Sequence, residues 1–316
     1  MTRDRRISLE IQHDRPFAAA VGGAVKPLVI YHANCWDGFC AAWVARTALG
    51  EIEAVPAHYG TPPPDVAGRD VYILDFCYKR PVMREILSMA HYVVVLDHHK
   101  TAEAELLGIV DEFIQRPDLI ASDLVANPHG QELPSVRFDM TKSGGRIAWE
   151  YFAYLGGWQG MPSPWLVDYT EDRDLWRHAL ENSQEVNAAL RSYPLDFDLW
   201  TREFAGLGPP PLSLVREGAA IRRREKQIVD DHTRNARDVE MDGHSVRVVN
   251  ATVLFSEIAG ELAKGYPFGA CYFDRQDGKR QWSLRSSPDG VDVSAIAKAH
   301  GGGGHQHAAG YEEVLS

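Results

Sequence analysis

Three short apolar runs in the first third of the chain each end on residues that can bind a metal ion. Apolar runs of this length predict buried strands of a parallel sheet. The runs and the residues that follow them are Leu28–Tyr31 before His32, Val71–Leu74 before Asp75, and Tyr92–Leu96 before Asp97-His98-His99. The carboxyl ends of parallel strands share one edge of a sheet, where ligands bind in open α/β folds. The pattern therefore predicts that these polar residues lie close together.

Helical patterns alternate with these strands. Cys35–Leu49 is rich in alanine and is followed by Gly50, a typical C-terminal cap. Pro81–Ala90 begins with proline, which is favoured in the first helical turn. Ser143–Leu155 has a helical pattern, with Ser143 as the expected N-cap. This alternation predicts an α/β domain with a mostly parallel sheet flanked by helices.

A second, smaller domain is predicted beyond a proline-rich break. Pro209–Pro211 interrupts the chain, and the highly charged Leu214–Arg237 has the composition of a solvated helix. Strand and helix patterns from Val246 onward predict an α/β domain with a mixed sheet. The predicted organisation is a variable lead-in at 1–25, a first domain at 26–205, a helical linker at 206–240 and a second domain at 241–316.

Composition and charge narrow the classes of partner. The net charge of −11 disfavours a protein that grips long nucleic acid through many phosphate contacts. No apolar run approaches the roughly 20 residues that span a bilayer, so no membrane partner is expected. The start of the chain lacks a signal-peptide pattern, and its four cysteines form no CxxC pair. These features predict a cytoplasmic protein with reduced thiols.

The residue types at the predicted strand ends suit a metal site. Imidazole and carboxylate groups together favour Mn²⁺, with Mg²⁺, Fe²⁺ and Zn²⁺ as alternatives. A carboxylate can bridge two cations about 3.5–4 Å apart, an arrangement that serves hydrolysis. The candidate ligands are His32, Asp37, Asp75, His98 and His99. We therefore expect a site for two metal ions.

The motifs in both halves of the chain resemble one known family. Asp97-His98-His99, with His32…Asp37-Gly38 and Asp75, resembles the DHH phosphoesterase superfamily. The second half resembles the DHH-associated C-terminal domain of its nuclease and phosphodiesterase branch, the nanoRNase-like proteins, at Ser283–Ser287, Val291–Ser294, Gly301–His305 and Ala308–Gly310. The resemblance implies that 26–205 is the catalytic domain and 241–316 the substrate-binding domain.

The resemblance also implies a role for each matching residue. The implied metal ligands are His32 for the first ion, Asp37 and His98 for the second, and Asp75 as the bridge. The implied catalytic residues are Asp97 and His99, with His99 facing the scissile phosphate. The implied substrate-binding residues are Arg285, Gly302, Gly303, Gly304 and His305. A fourth family motif supplies one more aspartate, for which Asp172 is the first candidate and Asp174 the second.

Cys35 departs from the family pattern, which usually has aspartate at this position. Three interpretations stay open. A Cys35 thiolate could bind the metal and favour softer cations such as Zn²⁺, the Asn34 carbonyl could substitute for it, or the first metal could bind weakly. The departure concerns the occupancy of the first metal site rather than the class of enzyme.

The run Gly301–Gly304 has two interpretations. It could end a helix flexibly, or its backbone N–H groups could approach an anion closely. Arg285 suits a bidentate contact with phosphate, and the family resemblance favours the anion-binding interpretation.

We expect a metal-dependent phosphodiesterase that hydrolyses short oligonucleotides or dinucleotides to nucleoside monophosphates with a metal-activated water. One alternative is a non-catalytic nucleotide-binding module with a damaged metal site. Another is a phosphatase acting on a 3′,5′-bisphosphonucleotide or on pyrophosphate. No stable complex with long nucleic acid is expected, and a homodimer is compatible with the sequence.

Overall fold

The computed structural model describes residues 26–106, 109 and 136–315, so the predicted lead-in at 1–25 lies outside the described residues. The chain divides into two units, the first ending at Ala219 and the second beginning at Ala220. The division falls inside one long helix, Leu212–Arg234, and within the predicted linker. The domain boundaries proposed from the sequence stay predictions.

The first unit contains a parallel sheet of five strands, in the order β2-β1-β3-β4-β5. Its strands are β1 Leu28–His32, β2 Glu53–Ala57, β3 Asp70–Leu74, β4 Tyr92–Asp97 and β5 Val136–Phe138. Successive residues of the central strands enter opposite cores: Val29 packs on one face and Ile30 on the other. Burial on both faces explains why these strands are continuous apolar runs.

Helices cover both faces of this sheet. They are α1 Trp36–Leu49, α2 Arg80–Met89, α3 Lys100–Leu106, α4 Gly144–Leu155, α5 Trp165–Asp174, α6 Ser183–Leu190, α7 Phe197–Phe204 and α8 Leu212–Arg234. Helices α1 and α4 pack in the core with Val29, whereas α2 and α3 pack in the core with Ile30. The predicted caps are confirmed: Gly50 ends α1 with a φ of 79°, and Ser143 Oγ accepts from the Arg146 N–H.

The second unit contains a mixed sheet of six strands, in the order β10-β11-β9-β8-β7-β6. Its elements are β6 Arg237–Met241, β7 His244–Asn250, α9 Phe255–Leu262, β8 Gly269–Asp274, β9 Lys279–Arg285, α10 Val293–Ala299, β10 Gly303–His305 and β11 Ala308–Val314. Strands β7 and β8 are parallel, and the other neighbours are antiparallel. The predicted fold class, an α/β chain with a parallel and a mixed sheet, is confirmed.

Two details differ from the sequence predictions. Helix α8 ends at Arg234, earlier than predicted, because Arg237 begins β6 and pairs with Val248 of β7. Strands β2 and β5 gave no apolar signal because they lie at the edges of the first sheet and are only partly buried. Within the part of the chain that the structure describes, no helix has the length and apolar character needed to cross a membrane.

Candidate metal centre

Neighbouring strands of the first sheet bring the predicted polar residues together. His32 ends β1, Asp75 directly follows β3, and Asp97 ends β4. Because these strands are adjacent and parallel, their carboxyl ends lie side by side. Donor atoms of Asp75, Asp97, His98 and His99 all lie within 4.8 Å of one another. The proximity expected from the strand pattern is present.

Asp75 lies in the middle of this cluster and is 1% exposed. Its φ of 53° is in the left-handed region, an unusual and strained conformation for a residue other than glycine. His98 Nε2 lies 3.1 Å from Asp75 Oδ1, and His32 Nδ1 lies 3.6 Å from Asp75 Oδ2. Neither carboxylate oxygen has a hydrogen-bond partner. Buried acceptors without partners are costly in a folded protein and are typical of sites that hold an ion.

The two carboxylate oxygens of Asp97 have different surroundings. Oδ1 accepts from the His98 N–H at 2.7 Å and from His99 Nδ1 at 2.6 Å. Oδ2 is buried and has no hydrogen-bond partner. Since an ionised carboxylate only accepts, His99 must carry a proton on Nδ1 in this contact. Asp97 therefore sets the orientation of the His99 ring.

Asp37 is held by the N-terminus of a helix distant in sequence. It lies in the first turn of α1, and its Oδ2 and Oδ1 accept from the backbone N–H groups of Gly144 at 2.6 Å and Gly145 at 2.9 Å. The approach is close: a Cβ on Gly144 would lie 2.6 Å from Asp75 Cβ. Glycine at the start of α4 thus allows two carboxylates and a helix end to meet.

Of the two candidate aspartates, Asp174 rather than Asp172 lies beside His98. Asp174 Oδ2 lies 3.6 Å from His98 Nε2, and Asp174 groups with Asp37 and His98 as a possible ligand set. Asp172 instead accepts from the backbone N–H groups of Ala179 at 2.9 Å and Leu180 at 3.4 Å. The Asp172 carboxylate thus binds the backbone of the loop after α5, and Asp174 is the candidate of the two that lies with the other proposed ligands.

The Cys35 side chain also reaches the cluster. Cys35 precedes α1, and donor atoms of His32, Cys35 and Asp75 lie within 4.8 Å of one another. Burial raises the pKa of the Cys35 thiol, and the nearby carboxylates of Asp75 and Asp174 raise it further. Cys77 does not join this group, because its thiol donates to the Tyr78 carbonyl within the core.

The concentration of carboxylates shifts several pKa values. Burial raises the pKa of Asp37, as do the charges of Asp75 and Asp174. Burial opposes protonation of His98, but its contact with Asp75 and the surrounding carboxylates raise its pKa to about 10. Burial also opposes ionisation of Asp75, yet the adjacent imidazoles hold its pKa below the usual range. In this setting a cation would neutralise the carboxylates and replace the proton on His98.

Tyr59 is a neighbour of the metal-ligand cluster that no sequence pattern indicated. Its ring lies edge-on to His32, with 5.5 Å between centroids, and packs against Phe76 at 4.9 Å. The side chain follows β2, the edge strand that gave no apolar signal. Tyr59 is 53% exposed and lies on the His32 side of the cluster.

Salt bridges attach α5 to α4. Arg146 donates to Glu171 Oε2 at 3.1 Å, to Ser163 Oγ at 2.8 Å and to Asp168 Oδ1. Both acidic residues belong to α5, the helix that ends at Asp174. These contacts support the position of Asp174.

The predicted substrate-binding residues lie in the second unit. Arg285 and His305 both align with Ala308, one on each side of β11, so they share one row of the sheet. Arg285 donates to Ser256 Oγ at 2.7 Å, close to the start of α9. The glycine run is not an open loop, since Gly303–His305 forms β10. A Cβ on Gly302 would lie 2.1 Å from the Gly310 carbonyl, so close strand packing itself requires glycine there.

Comparisons with known proteins agree with this architecture. No protein-family model matches the chain. The DHH domain of a member of the s1p family of ribosomal proteins aligns with a TM-score of 0.50 at 13% identity, covering 92% of this chain and 83% of that one. The chain has the DHH-domain fold. The resemblance drawn from the Asp97-His98-His99 motif is thus confirmed at the level of the fold.

Three other proteins are also similar to the chain. Exonuclease RecJ bound to manganese aligns with a TM-score of 0.49 at 16% identity, over 95% of this chain and 89% of that one. An uncharacterised protein, R106 of Acanthamoeba polyphaga mimivirus, is 27% identical over 317 residues, covering 90% of this chain. Oligoribonuclease NrnB of Bacillus subtilis is 32% identical over 90 residues, or 28% of this chain. The chain spans 66% of the length of R106 and 21% of NrnB.

Proposed function

We propose that this DHH-fold protein is a metal-dependent phosphodiesterase that hydrolyses short oligonucleotides or dinucleotides to nucleoside monophosphates. One observation carries the proposal: four buried oxygen and nitrogen atoms of neighbouring residues, all able to bind a cation, have no hydrogen-bond partner. These atoms are Asp75 Oδ1, Asp75 Oδ2, Asp97 Oδ2 and His32 Nδ1. A protein rarely leaves so many polar atoms unpaired at one place unless an ion binds there.

The donor atoms fit two cations. The first ligand set is His32, Cys35 and Asp75, and the second is Asp37, His98 and Asp174. Asp75 also lies 3.1 Å from His98, which supports its role as the bridge between the two sets. Mn²⁺ remains the preferred cation for the nitrogen and oxygen donors, with Mg²⁺, Fe²⁺ and Zn²⁺ as alternatives. Bound divalent cations supply Lewis acidity and lower the pKa of water.

His99 is the proposed proton donor. Its Nδ1 contacts Asp97 Oδ1 at 2.6 Å, and Nε2 is proposed as the nitrogen that acts on the substrate. Although burial opposes it, contact with Asp97 and the charge of Asp75 raise the pKa of His99, favouring the protonated ring. In hydrolysis, water forms the new P–O bond and gives its proton to solvent. The old P–O bond breaks, and His99 protonates the leaving oxygen.

The substrate class rests on charge and on the second unit. Arg285 and His305 share one row of the sheet, an arrangement suited to contact with a nucleotide phosphate. Gly302, Gly303 and Gly304 are proposed as further contacts at the sheet's edge strand, through their backbone N–H groups. The net charge of −11 favours a short substrate over a long strand. Partial identity to an oligoribonuclease supports the same choice. A cytoplasmic location and a homodimer remain predictions.

The test is hydrolysis by purified protein supplied with Mn²⁺. The substrates are di- to heptanucleotides of RNA and DNA, a cyclic dinucleotide, adenosine 3′,5′-bisphosphate and pyrophosphate. The proposal expects nucleoside monophosphates from the shortest oligonucleotides and no turnover by an Asp97→Ala, His98→Ala double variant. Preferential turnover of the bisphosphate or pyrophosphate would favour a phosphatase. Metal binding without any turnover would favour a non-catalytic nucleotide-binding module.

A further inference from the structure

Cys35 occupies a position from which a thiol can reach a cation. It lies between the end of β1 and the start of α1, directly before Trp36. Its donor atom and those of His32 and Asp75 are mutually within 4.8 Å. One cation could contact all three donors after small side-chain rotations, because the spacing is close to that of ligands around one ion.

A second observation concerns the other two residues of this group, whose buried polar atoms lack hydrogen-bond partners. Both oxygens of Asp75 are without hydrogen bonds, although the residue is 1% exposed. His32 Nδ1 is likewise buried and unpaired, and it lies 3.6 Å from Asp75 Oδ2. The cysteine therefore adjoins a buried carboxylate and an imidazole nitrogen that have no hydrogen-bond partner.

We propose that the Cys35 thiolate, with His32 and Asp75, forms a site selective for a thiophilic divalent cation, of which Zn²⁺ is the best match. Thiolate ligands favour Zn²⁺ over Mn²⁺ and Mg²⁺, which prefer oxygen donors. The second set, Asp37, His98 and Asp174, has only nitrogen and oxygen donors and retains the preference for Mn²⁺ or Mg²⁺. The two sites thus differ in selectivity, an inference that rests on the proposed two-cation centre.

Cation binding at Cys35 would combine loss of the thiol proton with replacement of a water on the cation, without electron transfer. The S–H bond breaks, its proton passes to solvent, and a sulfur–metal bond forms as the cation loses a water. The charge of the cation replaces that of the proton beside Asp75. No oxidant or reductant is required.

Other thiols of the chain provide internal controls. Cys77 is buried and donates to the Tyr78 carbonyl at 3.2 Å, so its thiol is directed into the core. Cys271 belongs to the second unit and packs with Ile258 and Leu262. Replacing either residue with alanine should leave the spectroscopic signature of a Cys35–metal bond intact.

The direct test is titration of metal-free, full-length protein with Co²⁺, a spectroscopic substitute for Zn²⁺. We expect a near-ultraviolet sulfur-to-cobalt charge-transfer band in the wild type and in Cys77→Ala, and its loss in Cys35→Ser. Zn²⁺ competition should show an affinity loss for Cys35→Ser at least as large as the roughly 10- to 100-fold typical of outer-shell changes. Cys35→Asp should bind Mn²⁺ more tightly than the wild type does. Circular dichroism verifies that each variant is folded.

Parallel assays separate this inference from the proposed function. A wild type that lacks the charge-transfer band, or a folded Cys35→Ser that retains it, overturns the role of Cys35. If dinucleotide hydrolysis persists in that case, the phosphodiesterase proposal still stands. A band that depends on Cys35 without hydrolysis of any tested phosphoester supports the thiolate site and contradicts the proposed function.

Discussion

Gly144 donates its backbone N–H to Asp37 Oδ2 at 2.6 Å, joining the first turn of α1 to the start of α4 across 107 positions of sequence. Gly145 donates to the other carboxylate oxygen at 2.9 Å. The N-terminus of a helix stabilises a carboxylate through its unpaired N–H groups and dipole. A distant helix end thus positions a proposed ligand of the second cation.

Gly144→Ala should weaken cation binding at the second set of ligands. The added Cβ would lie 2.6 Å from Asp75 Cβ and 3.0 Å from Asp37 Oδ2, so α4 or both carboxylates must shift. Calorimetric Mn²⁺ titration measures this loss. Gly260→Ala is the matched control, because no neighbouring atom lies within 4 Å of its Cβ. The control should bind Mn²⁺ normally and gain about 0.4–1 kcal/mol in unfolding free energy. Normal Mn²⁺ affinity in Gly144→Ala would contradict the packing argument.

Asp174 and Asp172 should respond differently to substitution. Asp174→Asn removes a charge 3.6 Å from His98 and should lower Mn²⁺ affinity while the fold persists. Asp172→Ala removes the acceptor for the N–H groups of Ala179 and Leu180, so it should lower the unfolding free energy by about 1 kcal/mol. Urea unfolding and Mn²⁺ titration of both variants distinguish the effects. The reverse pattern, with Asp172→Ala alone losing the metal, would restore the order expected from sequence.

Asp97→Asn should slow hydrolysis by disturbing His99. The carboxylate of Asp97 contacts His99 Nδ1 at 2.6 Å, and the neutral amide of asparagine lacks the negative charge that strengthens this hydrogen bond. We expect kcat to fall by about 10²- to 10⁴-fold, the range that a general acid contributes. His99→Gln should cause a similar loss, and the double variant little more, because the residues act as one unit. Multiplicative losses would show that Asp97 acts independently of His99. Measured Mn²⁺ occupancy separates loss of orientation from loss of metal.

Raising the pH should strengthen cation binding at His98. The pKa of His98 rises from 6.5 to about 10 in the metal-free fold, because its contact with Asp75 outweighs the opposing effect of burial. Protonation of His98 therefore stabilises this fold fully below pH 6.5, and the contribution is lost as pH rises through about 10. A cation requires neutral imidazole, so binding between these limits should release a proton. Calorimetry in buffers of different ionisation enthalpy counts that proton, and a pH-independent affinity without proton release would disprove the linkage.

Burial determined which parts of the fold could be predicted from the sequence. The central strands β1, β3 and β4 are buried on both faces and therefore appear as apolar runs. The edge strands β2 and β5 need fewer apolar residues and were not recognised. The same strand ends correctly indicated that His32, Asp75 and Asp97 meet, because adjacent parallel strands share an edge.

Helix geometry limited the prediction of the remaining site residues. Asp172 and Asp174 are two positions apart on α5, so they point about 200° apart around the axis. Choosing between them requires knowledge of which helix face meets His98, and that depends on packing. The contact of Gly144 with Asp37 depends equally on how α4 packs against α1.

The most direct test of the central claim compares wild-type protein with Asp75→Asn in Mn²⁺-dependent hydrolysis of a dinucleotide. Asparagine has nearly the same size and tolerates the left-handed backbone that Asp75 adopts at a φ of 53°. The substitution should therefore preserve the fold while removing the charge that is proposed to bridge the two ligand sets. We predict that the wild type releases nucleoside monophosphates and that folded Asp75→Asn falls to the background of metal-free protein. Equal turnover by the two proteins would contradict the account.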